Sequence, residues 1–340
     1  MVAAAALIAC LPAIVPGALV AAQKMRQTPA PVIDGSTPGH QEAPRALSAA
    51  SLPGGSSVAV SPNGLDPYRG LGAWIDLYDY GPARPLEGQD VAATTATLQN
   101  RGVRTIFLQT SRWNSPTNFD SPDVAAAIIE QAHARGMHVV GWYLPGFADV
   151  DRDVASSLAV LSFRTPSGQA FDGFAADIED NKAVGGMLAA FNGGVATYSA
   201  KLRAGAPAGA VLAAIVPDAK NNMRAPGLWG GFPWPEIARS YDVVMPMAYW
   251  SVIKPVCRSS LDADAYMKEV VARTQALMGT SKPMHPIGGI ADCTTGAEVE
   301  QYVNLGLQQG WLGGSLYDTL TTDHSPWADR MWEQLRRFDR

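Results

Sequence analysis

Short runs of β-branched and aromatic residues alternate with amphipathic stretches from about residue 68 to the C-terminus. The runs Gly72–Asp79, Val103–Thr110, His138–Pro145, Gly173–Glu179, Val211–Pro217, Tyr241–Trp250, His285–Ile290 and Gly314–Asp318 read as eight strands. Between them, Gln89–Asn100, Asp123–Arg135, Val150–Ser162, Asn181–Arg203, Asp262–Leu277, Ala297–Gln309 and Pro326–Phe338 carry helical spacing. The second of these follows Ser121-Pro122 and stops at Gly136, residue types that open and close helices. Gly185, Gly186, Gly193 and Gly194 weaken the fourth, and a loop, Asp218–Pro235, dominates the fifth crossover. The pattern predicts an α/β fold, a single (β/α)8 barrel. A doubly wound open sheet fits less well, because Tyr80-Gly81-Pro82 after the first strand is no phosphate cradle.

Ahead of this pattern lie two segments without it. Residues 1–22 are uncharged and largely apolar, with Lys24 and Arg26 close behind, which predicts a signal peptide or membrane anchor. Residues 23–67 are rich in Pro, Ala, Ser and Gly and predict a flexible linker, leaving 68–340 for the barrel. The formal charge of -5, with no run of Lys or Arg, excludes nucleic acid as a partner. A secreted or membrane-tethered monomer is expected, touching membrane only through an uncleaved N-terminal segment. Cys10 falls in the leader; Cys257 and Cys293 follow the sixth and seventh strands, at one end of the barrel, where a disulfide is expected in an oxidising compartment.

In such a barrel the site forms at the C-terminal strand ends, and side chains alternate between lumen and helix layer. Along the fourth strand Phe174, Ala176 and Ile178 share one face, and Ala175, Asp177 and Glu179 the other. Two carboxylates on one face repel, and partial desolvation raises one pKa, which keeps a carboxyl protonated as a general acid. Asp180 fits the simpler role of helix capping. Asp76 and Tyr78 share a face with Trp74; Gln109 and Ser111 end the second strand, Tyr143 the third, and Tyr317 and Asp318 the eighth. Met245, Met247 and Tyr249 share a face of the sixth, and Asp292 follows the seventh. Trp113, Trp229, Trp234 and Trp250 fall in or beside loops after strands, where flat aromatics suit the C–H faces of sugar rings. Glu179 and Asp177 are thus the catalytic candidates, and Asp76, Tyr78, Gln109, Trp113, Tyr143, Tyr249, Trp250, Asp292, Tyr317 and Asp318 the carbohydrate-binding ones. His40, His133, His138, His285 and His324 show no metal-ligand spacing, and the chain lacks a G-x-S-x-G nucleophile elbow, so no metal or cofactor is expected.

Asp172-Gly173-Phe174-Ala175-Ala176-Asp177-Ile178-Glu179 resembles D-G-x-D-x-D-x-E, the fourth-strand signature of the family 18 (chitinase-like) glycoside hydrolases. Met247-Ala248-Tyr249 resembles that family's sixth-strand M-x-Y. The resemblance covers these two motifs and the barrel frame. It implies that Glu179 protonates the glycosidic oxygen, that Asp177 orients an N-acetyl group acting as nucleophile, and that Tyr249 binds that group. Ala175 departs from the pattern, standing where the family carries its first inner Asp, and Tyr317 or Asp318 replaces an eighth-strand Trp. Asp76, Asp292 and Asp318 are therefore alternative second carboxylates. The expected activity is hydrolysis of O-glycosidic bonds in an extracellular or cell-wall polysaccharide. The alternative is a noncatalytic carbohydrate-binding barrel, which a residue such as Ala175 would also suit.

Overall fold

The computed structural model describes residues 64–80, 91–220, 230–253 and 262–339. The leader, the linker up to residue 63, Trp229 and Cys257 lie outside them. Eight strands are present: β1 Gly70–Ile75, β2 Val103–Arg112, β3 His138–Leu144, β4 Gly173–Asp177, β5 Leu212–Val216, β6 Val243–Pro246, β7 Ile287–Gly288 and β8 Gly313–Leu316. The helices between and after them are α1 Val91–Asn100, α2 Pro122–His133, α3 Val150–Ser162, α4 Leu188–Gly205, α5 Trp234–Ser240, α6 Ala263–Met278, α7 Gly296–Gln309 and α8 Ala328–Leu335. The strands pair in parallel in the order β6-β5-β4-β3-β2-β1-β8-β7. Bridges Val244–Met284 and Met247–Ile287 bring β6 to β7, so the sheet nearly closes into the expected barrel. Among the described residues no helix is long and apolar enough to cross a membrane.

Local chemistry explains where elements begin. Thr295 opens α7 with a capping box, its hydroxyl accepting from the Glu298 amide while the Glu298 carboxylate accepts from the Thr295 amide. Asp149 and Asp262 cap α3 and α6 in the simpler one-way form. All the expected strands but the second are shorter than the sequence implied, and four show why or by how much. The first stops at Ile75 because Asp76 Oδ1 accepts from the Tyr78 amide (2.7 Å) and Asp79 Oδ2 from the Asp76 amide (3.0 Å). These side-chain bonds curl Leu77–Tyr80 into a helical turn instead of continuing the ladder. The fourth stops at Asp177, so Glu179 sits on the following turn. The sixth stops at Pro246, which has no amide proton for a further ladder bond; the Ala248 and Trp250 amides then turn back onto the Pro246 and Ala248 carbonyls. The seventh keeps only Ile287 and Gly288. Conversely, the second runs on to Arg112. The helix expected over Asn181–Arg203 breaks at Gly185 and Gly186, giving a 3-10 turn, Lys182–Val184, before α4. The loop expected up to Pro235 ends at Trp234, which opens α5.

Strand alternation sorts the core into two layers. Trp74, Phe107, Val140, Trp142, Ala175, Ala213, Ile215, Val243 and Met245 pack inside the barrel. Ile106, Leu108, Val139, Phe174, Ala176 and Ile178 pack outward with helix residues. The inside is closed below by Tyr68, on the 3-10 turn Asp66–Tyr68 that precedes β1. Fully buried, its hydroxyl shares its proton between the Phe174 (3.0 Å) and Val211 (3.1 Å) carbonyls and accepts from the Phe174 amide (3.1 Å). A Cβ at position 173 would lie 2.5 Å from that oxygen, so the floor requires Gly173.

Above the floor runs a buried polar chain. Trp74 Nε1 donates to Ser315 Oγ (2.8 Å), which frees the serine proton for His285 Nε2 (3.2 Å). His285 Nδ1 then donates to the Tyr68 carbonyl (2.9 Å). Burial pushes His285 down to about 4, so the imidazole is neutral, in keeping with one donating and one accepting nitrogen.

Candidate active site

The open end of the barrel is lined by the residues that follow the last inward-facing apolar position of each strand. On β4, Ala175 is the last apolar inward residue and Asp177 comes next, 7 % exposed. Its Oδ1 is buried with no hydrogen-bond partner among the described residues. Burial, and then the neighbouring charges of Glu179 and Asp180, raise its pKa well above the ordinary carboxylate range. Glu179, half-buried on the turn beyond, is pushed up to about 7 by burial and by Asp180, with Lys182 pulling the other way. A carboxyl in this range is partly protonated at neutrality, and its protonated form can release the proton to a leaving oxygen.

Tyr249, beyond β6, is buried. Its hydroxyl is driven well up by burial first and then by Glu179, Asp177 and Asp318, which places all three carboxylates in its electrostatic neighbourhood. Its ring lies 6.2 Å from that of Tyr317, which follows β8, and Tyr317 in turn lies 6.2 Å from Trp74 inside the barrel. Trp74 stacks on Phe107 at 4.6 Å and meets Trp142 edge-on at 5.8 Å, making a rigid aromatic base. Tyr317 Oη donates to Asp76 Oδ2 (2.9 Å). Gln109 is buried at the end of β2, in register with Trp142, and its Oε1 accepts from the Leu77 amide (3.0 Å). Asp318 is buried and caps the short helix Thr319–His324, Oδ1 accepting from the Thr321 amide at 2.7 Å. The structure thus gathers Asp76, Gln109, Asp177, Glu179, Tyr249, Tyr317 and Asp318 around one mouth.

Other expected residues fall elsewhere. Tyr143 alternates with inward-facing Trp142 and so points into the helix layer, where its hydroxyl donates to Asp153 Oδ1 (2.6 Å). Asp153 is buried in α3 and also accepts from the Phe147 (2.7 Å) and Gly146 (3.3 Å) amides, pinning the loop after β3. Trp250, one residue past Tyr249, faces the opposite way; it is fully buried, its ring 5.4 Å from Tyr302 of α7. Trp234 is buried against Phe232 in α5. Tyr78 is carried off the strand face by the helical turn and meets Arg112 instead. Trp113 is half-buried at the rim in the loop after β2, so close to the loop after β3 that a Cβ at Gly146 would lie 2.7 Å from it. Asp292 falls on a 3-10 turn after β7, its side chain outside the described residues. Arg112 is the mouth residue that the sequence reading passed over. A register skip between Gln109 and Ser111 lengthens β2, turns Ser111 outward beside Tyr143, and returns Arg112 to the mouth.

No family model and no curated protein matches the sequence. Solved structures do match in shape. An endo-1,4-beta-mannanase from Rhizomucor miehei superposes with a TM-score of 0.54 at 11% identity, covering 74% of this chain and 86% of that one. A chitinase from Bacteroides thetaiotaomicron gives 0.55 at 11% identity, covering 79% and 96%. A glycoside hydrolase family 18 N-acetylglucosaminidase from Paenibacillus barengoltzii gives 0.50 at 8%, covering 79% and 99%. At these identities the likeness is one of fold: the chain shares the parallel eight-stranded barrel of these structures.

Proposed function

We propose that this protein is a glycoside hydrolase of an extracellular polysaccharide, with Glu179 as the general acid. The observation that carries the reading is the pair of buried Asp177 and half-buried Glu179 in the electrostatic neighbourhood of Tyr249, with Glu179 pushed up to about 7. Glu179 delivers its proton to the glycosidic oxygen as the bond from that oxygen to the anomeric carbon breaks. If the sugar carries an N-acetyl group, its carbonyl oxygen closes on the anomeric carbon, oriented by Asp177 and Tyr249. Water then opens that ring and returns a proton to Glu179, so the acid is regenerated. Asp177 Oδ1, without a hydrogen-bond partner among the described residues, supports the part given to Asp177, since it can hydrogen-bond a bound substrate. The leader-like segment, residues 1–22, supports export, and export supports a bond between Cys257 and Cys293.

Ala175 favours a second reading, a barrel that binds carbohydrate without turning it over, since a methyl group stands where a carboxyl is expected. One assay separates the two: reducing-sugar release from a panel of chitin, mannan, glucan and peptidoglycan, run beside binding to the same polymers. Release that is lost in Glu179→Gln supports the hydrolase. Binding without release supports the second reading.

A further inference from the structure

One edge of the mouth carries two arginines that form no ion pair among the described residues. Arg112, the last residue of β2, is half-buried and donates from Nη1 to the Tyr78 hydroxyl (2.8 Å), with its guanidinium carbon 5.4 Å from the Tyr78 ring centre. Arg152, in the first turn of α3, donates from Nη2 to the Ser115 carbonyl. Ser115 is also bonded to the Arg112 main chain, its amide donating to the Arg112 carbonyl (2.8 Å) and its hydroxyl accepting from the Arg112 amide (3.1 Å), so the Arg152 guanidinium reaches the loop that starts at Arg112. The loop's own carboxylate, Asp120, is committed to the Ser115 and Thr117 hydroxyls (2.5 and 2.8 Å) rather than to either arginine. Trp113 lies in this loop, so the charge borders an aromatic surface at the rim.

We infer that this edge is a subsite for an anionic group on the glycan, a carboxylate or a phosphate ester, with Arg112 as its principal ligand and Arg152 as the second. Tyr78 fixes the Arg112 fork in advance, so little side-chain freedom is lost when a planar or tetrahedral oxyanion docks on it in bidentate fashion. Of the acids of the mouth around Tyr249 and Tyr317, Asp177 and Glu179 are held toward their neutral forms; nearer the edge, Asp120 is bonded to the Ser115 and Thr117 hydroxyls and Asp149 to the Arg152 amide. The inference rests on the carbohydrate reading above and narrows it to acidic glycans.

The test measures binding by calorimetry to full-length protein carrying Glu179→Gln, so that no probe is consumed. Three probes are compared: a neutral N-acetylglucosamine tetrasaccharide, the same oxidised at one C6 to a carboxylate, and the same bearing one 6-phosphate. The preferred acidic probe is expected to bind about tenfold more tightly than the neutral one, and this ratio to fall toward one in Arg112→Gln and partway in Arg112→Lys. Which acidic probe binds better identifies the group. A ratio near one before any change at position 112, with the neutral sugar bound, overturns the inference and leaves the carbohydrate reading standing. A ratio that survives Arg112→Gln in a variant of unchanged melting temperature also overturns it. Binding of none of the probes overturns the inference for this sugar series, and the polymer panel shows separately whether the carbohydrate reading falls with it.

Discussion

The Tyr317 hydroxyl donates a 2.9 Å hydrogen bond to Asp76 Oδ2 and so joins the C-terminal ends of β8 and β1 at the mouth. The other Asp76 oxygen is held by the Tyr78 amide, which fixes the carboxylate beside the Tyr317 and Tyr249 rings. Removing the Tyr317 hydroxyl takes its hydrogen bond from Asp76 Oδ2 while leaving the ring in place. Tyr317→Phe is expected to lower kcat/KM by about tenfold, the equivalent of one hydrogen bond, with little change in melting temperature. An unchanged kcat/KM on a confirmed substrate would remove the Asp76–Tyr317 pair from the reaction.

Tyr68 closes the floor of the barrel with one hydroxyl that meets the Phe174 amide and two carbonyls. Tyr68→Phe leaves those buried backbone groups unpaired and is expected to cost about 1–3 kcal/mol in denaturant unfolding. A midpoint within error of the wild type would show that water replaces the hydroxyl.

The buried His285 makes the fold sensitive to acid. Its folded pKa of about 4 lies below the ordinary 6.5, so between these values the unfolded chain binds a proton that the folded chain refuses. Stability from this group is therefore present above pH 6.5 and is lost as pH falls toward 4, by roughly 3 kcal/mol. His133 acts in the opposite sense. Hydrogen bonding to Asp172 raises its pKa, so its contribution is present below 6.5 and is lost as pH rises through the raised value. His285→Gln, already less stable at pH 7, is expected to lose less on acidification to pH 4.5 than the wild type does. Equal losses in the two proteins would assign the acid sensitivity to other groups.

Cys293 ends the 3-10 turn after β7, and Cys257 follows β6, so a bond between them would brace the rim next to Tyr249. Protein exported by a bacterial host and denatured without reductant is expected to show neither thiol on titration. Two free thiols per chain lacking residues 1–22 would exclude the bond and weaken the case for export.

The inward placement of Ala175 and Asp177 was legible because the alternate positions Phe174, Ala176 and Ile178 are apolar throughout and leave only one face for a carboxylate. Tyr249 was legible for the same reason, through Met245 and Met247. Tyr143 and Trp250 were misplaced because they were judged by nearness to a strand end, when the face each occupies sends it into the helix layer. The curl at Asp76–Asp79 depends on side-chain bonds back to backbone amides, which compete with the ladder over only four residues and leave no periodic trace. Arg112 depended on a register skip, and the Tyr68–His285–Ser315–Trp74 chain on contacts between elements far apart in sequence. No local pattern carries either.

The most direct measurement is the pH profile of reducing-sugar release by wild type and Glu179→Gln on whichever polysaccharide of the panel the wild type cleaves. With Glu179 held at about 7, kcat/KM of the wild type should fall above neutrality as the acid loses its proton. Glu179→Gln, which keeps the shape but has no proton to give, should fold normally and lose about 10²–10⁴-fold in rate, with no such limb left in the profile. A Glu179→Gln protein that cleaves at the wild-type rate with the same pH dependence would contradict the account.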